Sequence, residues 1–184
     1  MKKTALNTAI AAALLATSAG ALAQPEIGVT VSYVDLGQNV SGETLSTGLI
    51  ELSGGYAFEL DRHFSVTPEA RYFTQPSDVT ADNGVDLRLK RGLGAAARVQ
   101  YDFFGHVDDG PFVFVAPAYS RIRAKASFEG TTLVSDSDWK FSVQAGAGYA
   151  FDDRFSLELR YEGFDPTNSN ERLNTFGLGA RYRF

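Results

Sequence analysis

The chain has 184 residues, 44% hydrophobic, 12% aromatic and 21% charged, with no cysteine and a formal net charge of −5. That is one domain of ordinary size with too many charges for a bundle of membrane-spanning helices, and it excludes a disulfide scaffold and a thiolate metal site. The acidic balance argues against a nucleic-acid partner, because phosphate binding needs a basic footprint, and two histidines, His63 and His106, leave little for a histidine metal site.

The first 23 residues read as an address. Lys2 and Lys3 precede an apolar run over 9–16, and Ala21-Leu22-Ala23 forms an A-x-A cleavage site before Gln24. This is the pattern of a secretory signal peptide. The run is interrupted by Thr17, Ser18 and Gly20 and is too short to span a bilayer, which takes about 20 apolar residues. Cleavage at Ala23 removes two lysines and no acid, taking the net charge from −5 to −7. The mature domain is expected over 24–184. Without cysteine it is not a lipoprotein.

Beyond the leader the recurring signal is period two, the spacing of β-strands. Eight strands are predicted, over 27–33, 50–58, 64–72, 87–103, 113–119, 139–151, 155–161 and 176–184. The fifth is less clean, since Phe112 and Phe114 fall on its other face. Short connections over 59–63, 104–110 and 152–154 alternate with longer polar ones over 37–44, 74–84, 124–137 and 165–174. That alternation puts all short turns at one end of an antiparallel meander. Pro68 and Pro117 sit inside predicted strands, where proline removes a ladder hydrogen bond. A bulge or local break is expected at each.

Period two says that one face is apolar, not where it points. Three features place it outside, toward lipid. Aromatic residues gather at both strand ends: Tyr56, Phe58, Phe64, Tyr101, Phe103, Tyr149, Phe151, Phe155, Tyr182 and Phe184 near the short turns, and Tyr33, Tyr72, Tyr119, Trp139 and Tyr161 near the long loops. Two such belts are the girdles of a barrel in a bilayer. The polar face is rich in small residues (Gly28, Gly55, Gly92, Gly94, Gly146, Gly148, Gly177, Gly179), as a narrow interior requires. The same face carries Glu69, Arg71, Arg98, Glu158, Arg160 and Arg181, which in a closed lumen must pair. Glu69 with Arg98, and Glu158 with Arg181, lie on consecutive strands. The predicted fold is all-β, an eight-stranded antiparallel up-and-down transmembrane barrel, closed because an open edge in lipid leaves backbone groups unpaired.

With these features the sequence resembles the small outer-membrane β-barrels of Gram-negative bacteria, the eight-stranded OmpA-barrel and OmpX type, over the whole mature chain. The best marker is the final strand, with Phe176, Leu178, Ala180, Tyr182 and Phe184 at alternate positions and phenylalanine last; it resembles the signal read by the outer-membrane insertion machinery. Ala145-Gly146-Ala147-Gly148-Tyr149-Ala150-Phe151 before Asp152-Asp153 is similar to the family's strand–turn pattern. The resemblance implies an integral outer-membrane protein with periplasmic termini, handled by periplasmic chaperones and the insertion machinery during biogenesis. Cell-wall anchoring is not expected to carry over, since the sequence shows no peptidoglycan-binding domain after the barrel.

Catalysis is not expected. Barrel enzymes of the outer membrane resemble one another in needing a histidine near the outer rim, whereas His63 and His106 fall in predicted periplasmic turns. Ser135, Asp136, Ser137 and Asp138 read as a solvated turn, Asp108-Asp109-Gly110 as another, and Glu158 with Glu162 as lumen ion-pair partners more than an acid–base pair. No cofactor or metal is expected. Arg91 on the fourth strand and Arg121, Arg123 and Lys125 on the fifth reach similar heights near the outer rim, where clustered Arg and Lys suit lipopolysaccharide phosphates; ordinary snorkelling is the plainer alternative. A structural or surface-interaction role of a monomer in contact with outer-membrane lipid is the leading reading. A narrow passive channel and a soluble periplasmic barrel holding an apolar ligand are the alternatives.

Overall fold

The computed structural model describes residues 23–38, 44–76, 79–80, 85–105, 109–128, 131–164 and 174–184. Among the described residues nine strands run in chain order: β1 (Ala23–Gln38), β2 (Thr44–Glu59), β3 (Phe64–Thr74), a two-residue β4 (Val79–Thr80), β5 (Val85–Asp102), β6 (Gly110–Phe128), β7 (Thr131–Ala150), β8 (Phe155–Phe164) and β9 (Asn174–Arg183). Every pairing is antiparallel. The eight long strands close into a ring through β1–β9 and β3–β5, and β4 lies against the outer end of β5 alone. No described residue is helical.

The register fixes the size of the barrel. Following partners once round the wall from Ala23 through Phe58, Val66, Val99, Val115, Ala145, Tyr161 and Phe176 returns to β1 at Tyr33, ten residues further on. Eight strands with that stagger tilt by about 35–45° and leave an interior that side chains fill.

The faces are inverted relative to a water-soluble protein. Val31 is 59% exposed while its neighbours Thr30 and Ser32 are buried, and along β9 Phe176 and Leu178 are exposed while Thr175 and Arg181 are buried. The apolar face points outward and the charged face inward, the arrangement of a barrel whose solvent is lipid. A soluble barrel around an apolar ligand is overturned by this polarity. Among the described residues the buried apolar side chains are few; Phe73, Phe112 and Phe114 lie inside the lumen.

The strands extend further than the apolar alternation indicates. The connection expected over 124–137 is a correction: β6 and β7 stay paired out to Phe128 opposite Thr131, with one register shift near Ala126, so Ser135, Asp136, Ser137 and Asp138 are ladder positions and not a turn. The strand expected over 113–119, β6, likewise begins at Gly110, and the one expected over 50–58, β2, at Thr44. The reason is physical. Beyond the bilayer both faces of a strand meet water, so the hydrophobic period that marks a strand fades while the backbone ladder continues.

Each proline interrupts one ladder without shifting it. The β2–β3 pairing passes from Gly55–Glu69 to Phe58–Val66 around Pro68, and the β5–β6 pairing from Ala96–Ala118 to Val99–Val115 around Pro117. On its other side each proline stays in register, Pro68 with Ala97 and Pro117 with Val143. The outcome is a local break and not a bulge.

Candidate functional site

Inward-pointing positions of six strands build two layers of ions. In the layer nearer the long loops, Arg71 on β3 bonds Glu51 on β2 and Glu162 on β8, the latter at 2.8 Å. Arg160 on β8 reaches Glu51 at 2.8 Å. The Ser142 hydroxyl donates to Glu162 at 2.7 Å, and the Gln144 amide lies between Arg71 and Arg160. Two arginines face two glutamates here.

In the layer nearer the short turns, Glu158 holds Arg98 at 2.8 Å and Arg181 at 3.2 Å. Arg181 also binds Glu69 at 2.7 Å and Glu26, and Glu26 reaches Arg183 at 3.3 Å. Arg98 donates to Gln100, which donates to Asp102. Arg98, Arg181 and Arg183 thus meet Glu26, Glu69 and Glu158. Each layer is close to neutral, which is what buried charge requires.

The six lumen charges expected from the sequence are all inside and all paired. Glu158 meets Arg181 as the strand order indicates, while Glu69 is joined to Arg181. Sequence reasoning missed Glu26, Glu51 and Arg183 and placed Glu162 only by its shared face. The signal was present: Glu26 and Glu51 stand at alternate positions beside Ile27 and beside Ile50 and Leu52, so parity alone sends them inward.

The rest of the lumen is filled by rings. Phe112 and Phe114 lie opposite Gly148 and Gly146 of β7, and Phe73 opposite Gly92 of β5. A Cβ at any of these glycines would run into the facing ring. Near the short turns a cavity of about 30 Å³ remains, lined by Glu26, Gln100, Asp102, Arg154 and Arg181 among others, room for about one water.

Two short turns share one device. Asp61 accepts hydrogen bonds from the backbone N–H groups of His63 and Phe64, and Asp152 from those of Arg154 and Phe155. In both, the residue before the aspartate donates its N–H to the phenylalanine carbonyl, Leu60 to Phe64 and Phe151 to Phe155. Leu60-Asp61-x-x-Phe64 and Phe151-Asp152-x-x-Phe155 are one motif used twice. The two amides hold the exposed Asp152 carboxyl below its ordinary range. His63 stacks on Tyr101 with its Nδ1 2.8 Å from the Asp102 carbonyl oxygen. His106 and Asp108 lie outside the described residues, as do Met1–Leu22 with most of the expected leader; Ala23 is already in register with Phe58.

At the opposite end stands the basic rim. Arg91 and Arg121 are exposed on the outward face. The ladder sets Arg123 opposite Arg91, Arg121 opposite Leu93, and Lys125 opposite Arg88; the side chains of Arg123 and Lys125 lie outside the described residues. On β7 the partner of Arg121 is Trp139, whose ring stacks on Tyr119 with centroids 5.1 Å apart and planes 6° from parallel. The final strand shows Phe176, Leu178, Tyr182 and Phe184 outward, with Ala180 half-buried, and the Phe184 N–H donates to the Pro25 carbonyl at the closing seam.

The sequence matches the family described as outer membrane protein beta-barrel domain over residues 8–184. No curated protein matches the chain. Solved structures do. Ail, the attachment invasion locus protein of Yersinia pestis, in a complex with the heparin analogue sucrose octasulfate, superposes with a TM-score of 0.60 at 16% identity, covering 88% of this chain and 99% of that one. Neisserial surface protein A gives 0.57 at 16% identity, over 87% and 97%. The N-terminal β-barrel domain of Pseudomonas aeruginosa OprF gives 0.51 at 13%, over 89% and 100%. At such identities the likeness is one of fold.

Proposed function

The chain belongs to the family of outer membrane protein β-barrel domains, and from that membership we propose a structural and surface-interacting role, without catalysis, in which the barrel contacts lipopolysaccharide phosphates at its outer rim. The observation that carries the reading is the exposed pair Arg91 and Arg121, set at the end of the apolar band beside the Tyr119–Trp139 stack. A tryptophan–tyrosine pair marks a membrane interface, and guanidinium groups at that height meet phosphate. Arg123 and Lys125 continue the same strand and complete the proposed contact. A fold relative crystallised with a sulfated sugar, Ail, is consistent with polyanion recognition on this scaffold.

In this reading the short turns and both termini face the periplasm, residues 1–23 are a leader removed on export, and 24–184 form a monomeric barrel delivered by periplasmic chaperones to the insertion machinery. Mass spectrometry of the protein from outer membranes should give a mature N-terminus at Gln24. The non-catalytic role is supported by the position of His63, at the end of the barrel away from Arg91 and Arg121. The narrow channel draws no support from a lumen filled by two ionic layers and three phenylalanine rings.

The test is charge reversal. Protein carrying Arg91→Glu and Arg121→Glu, purified from outer membranes in mild detergent, should retain several-fold less lipopolysaccharide than the parent. Retention equal to the parent would sink the phosphate reading.

A further inference from the structure

We propose that the wall of β3, β5 and β6 beneath the rim arginines seats an acyl chain of the same lipid, so that the ligand is recognised as lipid A and not as a bare phosphate. This rests on the phosphate reading above and adds to it a second point of contact. Down the outward face of β5 the side chains run from Arg91 through Leu93 to Ala95 and Ala97. Ala95 is partnered by Ala70 and Ala97 by Pro68, and on the other side Pro117 stands across from Ala97 where the ladder is interrupted. Mid-height on this wall is therefore made of alanine and proline. On the opposite wall the corresponding band projects Val31, Leu159 and Leu178, among the most exposed apolar side chains described, whereas on this wall Leu93, 63% exposed, stands out only above Ala95. Among the described residues Pro68, Ala70, Ala95, Ala97 and Pro117 gather at this height on the β3–β5–β6 wall and indent it.

One bulky neighbour is turned away. Tyr119 is the β6 partner of Ala95, but its ring lies flat against Trp139 of β7, on the far side from β5. The face of Ala95 stays open. The length fits as well. Six residues separate Arg91 from Ala97, about 20 Å along a strand at 3.3 Å each. A tilt of about 40° turns that into about 15 Å of depth, half of a hydrocarbon core about 30 Å thick. A lipid whose phosphate meets Arg91 and Arg121 thus lays one extended chain over Ala95 and ends near Ala97. Charge chooses the occupant: an anionic headgroup below a cationic rim, in the outer leaflet.

The experiment titrates the purified full-length barrel, in dodecyl maltoside micelles, with hexa-acylated lipid A and reads bound lipid by native mass spectrometry. Ala95→Leu with Ala97→Leu fills the indentation with lipid-facing side chains, and Val31→Phe on the opposite wall is the control. The filled variant should bind lipid A about tenfold more weakly, a loss of a few methylene contacts, and the control should bind as the parent does. The fully deacylated, phosphorylated disaccharide should bind parent and filled variant alike. If the filled variant keeps parental affinity while the Arg91→Glu, Arg121→Glu protein loses it, the acyl seat fails and the phosphate reading stands. If neither change matters, both fail. An equal loss in Val31→Phe, equal binding of phosphatidylglycerol, or a dimer that the filled variant abolishes without affecting lipid A would each overturn the seat. Should the double variant not form a heat-modifiable barrel, Ala70→Leu on β3 probes the same surface.

Discussion

The Arg98 guanidinium carbon stands 3.6 Å from the centre of the Phe114 ring, and that ring in turn lies over Gly146 on the neighbouring strand. The same stack recurs with Arg71, 4.6 Å from the Phe73 ring, opposite Gly92. The missing side chain makes room for a ring, and the ring gives a buried cation an aromatic face. Valine at Gly146 would press on the Phe114 ring and on the backbone oxygen of Leu159. Gly146→Val should lower unfolding stability in lipid vesicles by about 1–3 kcal/mol in a urea titration. Gly48→Ala, where a Cβ meets open space, should leave the midpoint unchanged.

The ion layers make a sharper demand. Arg71→Met leaves Glu162 without its cation in the lumen while Glu51 keeps Arg160, and removing one partner of a buried pair costs about 3–5 kcal/mol. Adding Glu162→Gln to Arg71→Met should recover much of the loss, because the remaining Glu51 and Arg160 still balance. Recovery in the double variant, measured by the same urea titration, separates charge pairing from simple loss of volume; no recovery would mean that Arg71 acts by packing.

Much of this was legible from alternation. Parity placed Arg71, Arg98, Glu158 and Arg160 inside and Phe176, Leu178 and Phe184 outside, because in a barrel wall a residue has only two directions to point. Glu26 and Glu51 were readable by the same rule. The Phe114–Gly146 partnership was not, since it depends on the stagger between strands, which period two leaves free. The upper reaches of β6 and β7 were missed because the hydrophobic signal ends where the bilayer does. The paired aspartate turns were open to view as a repeated Asp-x-x-Phe, but their equivalence lies in the hydrogen bonds of Asp61 and Asp152.

Those turns carry a pH dependence. The Asp152 carboxyl in the folded barrel titrates below its ordinary value of 3.8 because it accepts two backbone N–H bonds. A lowered folded pKa means that the stabilisation is complete above the unfolded value and is lost as pH falls through the folded one. Asp152→Ala should therefore destabilise the barrel at pH 7 and by progressively less as the pH falls below 3.8, when unfolding midpoints are compared across that range. A difference that does not shrink with falling pH would assign the effect to something other than the carboxylate.

Trp139 is the one tryptophan of the chain, so its fluorescence reports a single depth. Half-exposed on the outward face and stacked on Tyr119 at the rim, it should sit at the interface and not in the hydrocarbon centre. Lipids brominated near the glycerol should quench it more strongly than lipids brominated near the chain ends. The reverse order would put Trp139 in the hydrocarbon centre and not at the interface.

The apolar face of this closed barrel meets lipid, and heat-modifiability in isolated outer membranes tests that: the same sample, boiled and unboiled, compared on a denaturing gel. The protein is expected in that fraction with a mobility that shifts on boiling, because a closed hydrogen-bonded ring survives detergent until heated. Recovery of the protein in the soluble periplasmic fraction, with no shift on boiling, would put the apolar face inside.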